Sequence, residues 1–163
     1  MMGAGKTTLG KRLARERGLE FCDLDQEIER RTGVSVATIF EIEGEAGFRQ
    51  REAQLLAEVA GGKGRVVATG GGVVLSPINR ARLLTSAGVV YLHASPGLLY
   101  ARTRNDRGRP LLQVGDPFAR IRQLVERRDP LYREVADLVV EAGCDAAALA
   151  DEIKQALSPS CRH

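Results

Sequence analysis

The sequence contains no tryptophan, and aromatic residues of all kinds make up only 4% of its 163 residues. Proteins that hold single-stranded nucleic acid stack bases on aromatic side chains beside basic runs. That combination is absent, so nucleic acid is not expected as a partner. No apolar run approaches the roughly 18–20 residues that a membrane-spanning helix needs. Nor is there the apolar core of a secretory signal, so neither membrane nor export is expected. The three cysteines, Cys22, Cys144 and Cys161, are odd in number and show no C-x-x-C spacing. This excludes a disulfide framework or a zinc ribbon and fits reduced thiols in a cytoplasmic protein. Of the two histidines, His93 sits at the end of a strand-like run and His163 at the tail.

With 44% hydrophobic and 28% charged residues, the composition is that of one globular domain over residues 1–163. The net charge is only +3, yet just four of the 24 basic residues are lysines. Two accounts stand side by side: a genome rich in arginine codons, or guanidinium forks that recognise phosphate and carboxylate.

Hydrophobic spacing divides the chain into alternating strands and helices. A helix is expected from Lys6 to about Arg17, with Leu9, Leu13 and Ala14 on one side and Gly18 as its stop. A strand-like stretch, 19–25, places Asp23 and Asp25 on one face, and a short helix follows over 26–32. Ser35 caps the next segment, and after Gly44 a long helix carries Phe48, Leu55, Leu56 and Val59. Further strands are expected over 65–69, 89–93 and 138–140. Ser76-Pro77, Ser95-Pro96 and Asp116-Pro117 open helices, the last reaching Pro130, and a closing helix covers 146–157. Such alternation predicts a parallel sheet with helices on both faces and ligands beyond the carboxyl ends of the strands.

Three features fall on that rim. Gly3-Ala4-Gly5-Lys6-Thr7-Thr8 reads as the end of a phosphate-binding loop, G-x-x-x-x-G-K-[ST], opening a helix. Its glycines let several N–H groups face one anion, Lys6 reaches the outer phosphates, and the Thr7 hydroxyl suits Mg²⁺. Asp23 and Asp25 allow two readings. They cap the following helix, or they divide the work between water on Mg²⁺ and a hydroxyl nucleophile. Gly70-Gly71-Gly72 is a flexible turn or a place where backbone approaches a ligand closely. Arg102, Arg104, Arg107 and Arg109 crowd into eight residues, a repulsion that polyphosphate would relieve.

Together these residues resemble the shikimate kinase family. The resemblance spans nearly the whole chain: Gly3-Ala4-Gly5-Lys6-Thr7, Asp23-Leu24-Asp25, Phe48-Arg49-x-x-Glu52, Gly70-Gly71-Gly72, and Arg109-Pro110-Leu111 followed by Pro130-Leu131-Tyr132-Arg133. It implies an α/β, three-layer P-loop kinase fold with a parallel sheet in order 2-3-1-4-5 and a mobile lid over about 103–116. It also implies a substrate-binding helical region over about 25–60. The implied activity transfers the ATP γ-phosphoryl group to the 3-hydroxyl of shikimate.

Under the resemblance, Gly3, Ala4, Gly5, Lys6, Thr7, Thr8, Arg102 and Arg109 hold ATP, with Arg102 stacked on adenine. Thr7 and Asp23 serve Mg²⁺, and Asp25, Arg49, Gly70, Gly71, Gly72 and Arg133 hold shikimate. Lys6, Asp25 and Arg109 are the implied catalytic residues, Asp25 as the base. A monomer is expected on family grounds. Where family members often carry Asn-Pro near the adenine, this chain has Asp145-Ala146. Gluconate- or adenylate-type kinases share the loop, and an inactive nucleotide-binding module is the rival from another class.

The leading glycine of the loop pattern would fall just before Met1, and with it the strand that feeds the loop. An internal start is therefore expected, with roughly ten residues, a strand and a glycine, encoded upstream.

Overall fold

The computed structural model describes residues 1–86, 88–105 and 110–157. Among them, strands and helices alternate along the chain. Helix α1, Lys6–Arg17, ends where Gly18 adopts φ 64°, a left-handed turn that glycine makes without a steric penalty. Strand β1, Glu20–Asp23, leads directly into α2, Leu24–Thr32, and then α3, Val36–Ala60. Strand β2, Arg65–Ala68, runs into the glycine turn and a single 3₁₀ turn, Val73–Leu75, before α4, Pro77–Leu84. The remaining elements are β3, Val90–His93; α5, Pro96–Thr103; a 3₁₀ turn at Pro110–Leu112; α6, Pro117–Val135; β4, Leu138–Glu141; and α7, Ala146–Ala156.

The strands form two parallel pairs. β1 lies beside β2 in the register Glu20↔Arg65 to Asp23↔Ala68, and β3 beside β4 from Val90↔Leu138 to His93↔Glu141. In the order 2-3-1-4-5 these are the 2-3 and 4-5 halves, and no described residue forms a strand between them. Leu24, Ile39, Leu56, Leu99 and Ile121 lie fully buried in the core. No described helix is long and apolar enough to cross a membrane.

Two elements, β1 and α6, depart from the expected boundaries, and each departure moves a candidate site residue, while the division expected at Gly44 is observed. β1 stops at Asp23, whose carboxylate caps α2 by accepting from the N–H groups of Asp25 and Gln26. Asp25 therefore occupies the first helical turn, not the same strand face as Asp23. Within 36–60 the helix breaks at Gly44, at φ 70° and ψ −179°, a conformation essentially reserved for glycine. This break lets the segment after it take its own direction, carrying Phe48, Arg49 and Glu52. Helix α6 does not end at Pro130 but continues to Val135. Proline removes one intrahelical donor; here Pro130 and Glu126 both lie on the exposed side, where water can satisfy the freed carbonyl.

Candidate active site

The amino-terminal loop has the backbone its glycines predict. Gly3 and Gly5 both have positive φ, 71° and 96°. At Gly3 a Cβ would lie 2.7 Å from the Thr103 methyl group, so glycine is required by space as well as by conformation. Among the described residues no side chain caps α1, which leaves its first N–H groups at the positive end of the helix dipole. Lys6 Nζ donates to the Met1 carbonyl at 2.6 Å, which folds the side chain back along the loop. Thr7 Oγ1 donates to Asp23 Oδ2 at 2.6 Å. Asp23 thus divides its two oxygens: one caps α2, and the other meets the loop hydroxyl. A hydroxyl and a carboxylate this close supply the hard oxygen donors that suit Mg²⁺.

Beside the loop lies a cavity of about 270 Å³ between Gly3, Gly5, Thr8 and Arg102 on one side and Gly143, Cys144 and Leu149 on the other. Arg102 Nη1 reaches the Gly3 and Ala4 carbonyls at 3.3 and 3.4 Å, so α5 places its guanidinium at the mouth of this cavity. Asp145 caps α7 through Ala147 N–H, and Ala146 lines the cavity wall. Cys144, which carried no functional signal in the sequence, lies on the same wall.

The second half of the site gathers around the glycine turn. A Cβ on Gly70 would overlap Glu52 Oε1 and would lie 2.9 Å from Asp25 Oδ1; a Cβ on Gly72 would overlap the Arg49 guanidinium. The turn must therefore be glycine, because two carboxylates and a guanidinium occupy the space that side chains would fill. Arg49 Nη1 pairs with Glu52 Oε2 at 2.8 Å and Nη2 with Glu45 at 3.1 Å. Glu52 is fully buried, and its Oε1, like Asp25 Oδ1, has no hydrogen-bond partner among the described residues. Burial raises the pKa of both carboxyls, aided at Asp25 by the nearby Asp23 charge. Buried oxygens without partners are costly in a finished core and ordinary in a site that waits for a ligand.

Arg133 does not join this group. It is half exposed and pairs with Asp129 at 2.8 Å, one turn earlier on α6. Asp129 also accepts from the Tyr91 hydroxyl and stands 3.8 Å from His93 Nε2, beside the β3–β4 pair. The buried guanidinium at the glycine turn belongs instead to Arg128, whose Nη1 donates to the Gly71 carbonyl at 2.7 Å. Its Nε has no partner among the described residues, and desolvation lowers its pKa, with the Arg49 charge adding to the effect. Five residues turn a helix by roughly 140° beyond a full revolution, so positions 128 and 133 cannot face the same cleft. Ending the helix at Pro130 hid this; the i,i+4 pair Arg128 and Tyr132 was the signal available in the sequence. Arg109, with Arg107 beside it, lies outside the described residues.

The whole chain can be compared with known proteins. The shikimate kinase family model matches residues 2–158. The chain belongs to the shikimate kinase family. It is 61% identical to the shikimate kinase of Aromatoleum aromaticum over 88% of this chain and 82% of that protein. It is 52% identical to that of Nitrosospira multiformis over 99% of this chain and 84% of that one. Among solved structures, the Acinetobacter baumannii shikimate kinase in complex with shikimate matches with a TM-score of 0.91 and 50% identity, covering 94% of this chain and 87% of that one. The family's α/β P-loop kinase architecture is therefore that of this chain, including the parallel strand pairs described above.

Proposed function

We infer that this chain is an ATP-dependent shikimate kinase, which phosphorylates shikimate with ATP and Mg²⁺ on the route to aromatic amino acids. Membership of the family carries the activity. One structural observation supports the site: two guanidinium groups and two carboxylates, each with an oxygen partnerless among the described residues, surround a turn too crowded for any residue but glycine. A substrate with one carboxylate and several hydroxyls matches that charge pattern. Gluconate- and adenylate-type kinases share only the loop half of it.

The geometry, with the family motifs, supports a division of labour. The loop 3–8 and the amino end of α1 would hold the phosphates, with Lys6 swinging from the Met1 carbonyl onto them. Arg102 would bound the adenine subsite, and Arg109 is kept as the catalytic arginine that the family motif implies. Thr7 and Asp23, already 2.6 Å apart, fit Mg²⁺, which would neutralise charge on the transferring phosphoryl group. Arg49 and Arg128 would take the shikimate carboxylate, Arg128 replacing Arg133 in that role, while the Gly70 to Gly72 backbone closes on the ring. Asp25 Oδ1 accepts the proton of the attacking hydroxyl as the new P–O bond forms and the bond to ADP breaks. Its raised proton affinity suits a base, and phosphoryl transfer otherwise needs positioning and charge more than covalent help.

Residues 1–163 are read as one kinase domain with 25–60 receiving the substrate, active as a monomer in the cytoplasm; gel filtration and cell fractionation test the last two points. The activity itself is tested by measuring ADP from MgATP across a panel of hydroxy acids. Shikimate alone should support turnover, and a folded, ATP-binding preparation that releases no ADP with shikimate would overturn the assignment.

A further inference from the structure

The Gly71 carbonyl receives two donors from one helix. Besides Arg128 Nη1, the Tyr132 hydroxyl donates to it at 2.6 Å. Residues 128 and 132 lie one turn apart on α6, so both side chains approach from the same side. Their target belongs to the peptide unit that joins Gly71 to Gly72. A peptide unit is planar and trans, so anchoring its C=O also sets the direction of its N–H on the opposite edge. That N–H is the Gly72 amide, which makes no backbone hydrogen bond among the described residues. Gly72 is also the residue whose missing Cβ makes room for the Arg49 guanidinium. Glycine is the residue least able to hold a peptide plane by its own conformational preferences. The plane is therefore held from outside.

Tyr132 is itself held in place. Its ring stacks on Tyr91 with centroids 4.6 Å apart and planes at 17°. Tyr91 in turn donates to Asp129 at 2.9 Å. Tyr132 is buried, and burial pushes its pKa up to about 12, so it remains a donor throughout the neutral range.

We propose that Tyr132, braced by the Tyr91 ring, is a positioning residue for the acceptor substrate: it fixes the Gly71–Gly72 peptide plane so that the Gly72 amide meets the substrate carboxylate beside Arg49. This rests on the shikimate site proposed above. Tyr132 touches no reacting atom; it acts through the backbone of the turn. A residue that merely filled the core would be replaced by phenylalanine without kinetic effect.

The test is steady-state kinetics on Tyr132→Phe, which keeps the ring and removes the hydroxyl, alongside the unaltered protein. The unaltered protein must first show shikimate-dependent ADP release; its failure there would overturn the functional reading and with it this one. The proposal expects Tyr132→Phe to raise KM for shikimate roughly three- to tenfold, the loss of one of two hydrogen bonds on the carbonyl. KM for ATP and kcat should stay within about twofold at saturating shikimate, since the missing contact acts on ground and transition states alike. Tyr91→Leu, which removes the stacked ring and leaves the Tyr132 hydroxyl, should raise the same KM in the same selective way. It also decides the question if Tyr132→Phe does not fold. Unchanged KM for shikimate in the folded variants, or equal rises for both substrates, would overturn the proposal while leaving the kinase assignment intact.

Discussion

Asp25 combines two properties that pull in opposite directions. Its side chain is half-buried, with Oδ1 itself buried and unpartnered among the described residues, and desolvation, with the Asp23 charge, raises its pKa. A carboxyl whose folded pKa lies above its unfolded value binds a proton more tightly when folded, so it stabilises the fold as pH falls through the folded pKa. At neutral pH the ionised form is a cost to stability. We expect Asp25→Asn to raise the melting temperature at pH 7 and to shrink that gain as the pH is lowered below the folded pKa. Turnover should fall by about 10²–10⁴ with ATP affinity retained; a near-normal kcat would remove Asp25 from the role of base. The two arginines of α6 make the second residue-scale comparison. Arg128→Ala should raise KM for shikimate by about 10²-fold or more, as removing a buried charge-assisted contact costs 2–5 kcal/mol. Arg133→Ala, at the exposed pair with Asp129, should leave KM for both substrates within about twofold. Initial-rate measurements on the two variants separate them, and the reverse pattern would restore Arg133 to the site.

At the scale of elements, the site depends on where helices are broken and where they are not. Gly44 turns the chain between the two parts of α3, and the part that follows delivers Arg49 and Glu52 to the glycine turn. A side chain at φ 70° and ψ −179° is strained by roughly 1–3 kcal/mol. Gly44→Ala should lower the unfolding free energy by that amount, read as a lower denaturant midpoint, and raise KM for shikimate together with it, because the strain relaxes by re-aiming the second part. Chemical denaturation read by circular dichroism checks the first effect and kinetics the second. The same scale explains which boundaries were legible in the sequence. Serine, aspartate and proline at helix starts are local signals, and Ser35, Ser76, Ser95 and Asp116 cap helices where they were expected. Pro130 was misleading because a proline costs a helix one donor, and whether water replaces it depends on which way the position faces. That orientation is decided by the packing of α6 against the rest of the fold.

For the molecule as a whole, ligands that bind only the folded chain must stabilise it by mass action. MgATP at about 100 times its Kd adds about 2.7 kcal/mol. At this size that corresponds to a rise in melting temperature of roughly 5–11 °C. Shikimate should add a further rise, and chelation of Mg²⁺ should abolish turnover; thermal shift and ADP release measure both. The phosphate-binding loop, the paired aspartates, the triple glycine and the order of helices and strands were all legible in the sequence. Each is a short-range matter of φ angles, caps and hydrophobic period, and motif spacing sufficed to indicate the family and its substrates. What only the tertiary structure decided was convergence. It put Glu52 and Asp25 against one glycine, Cys144 on the wall of the cavity beside the loop, and Arg128 with Tyr132 beneath Gly71. These contacts join residues tens of positions apart, and their geometry is set by the packing of whole helices, which no local pattern of residues encodes.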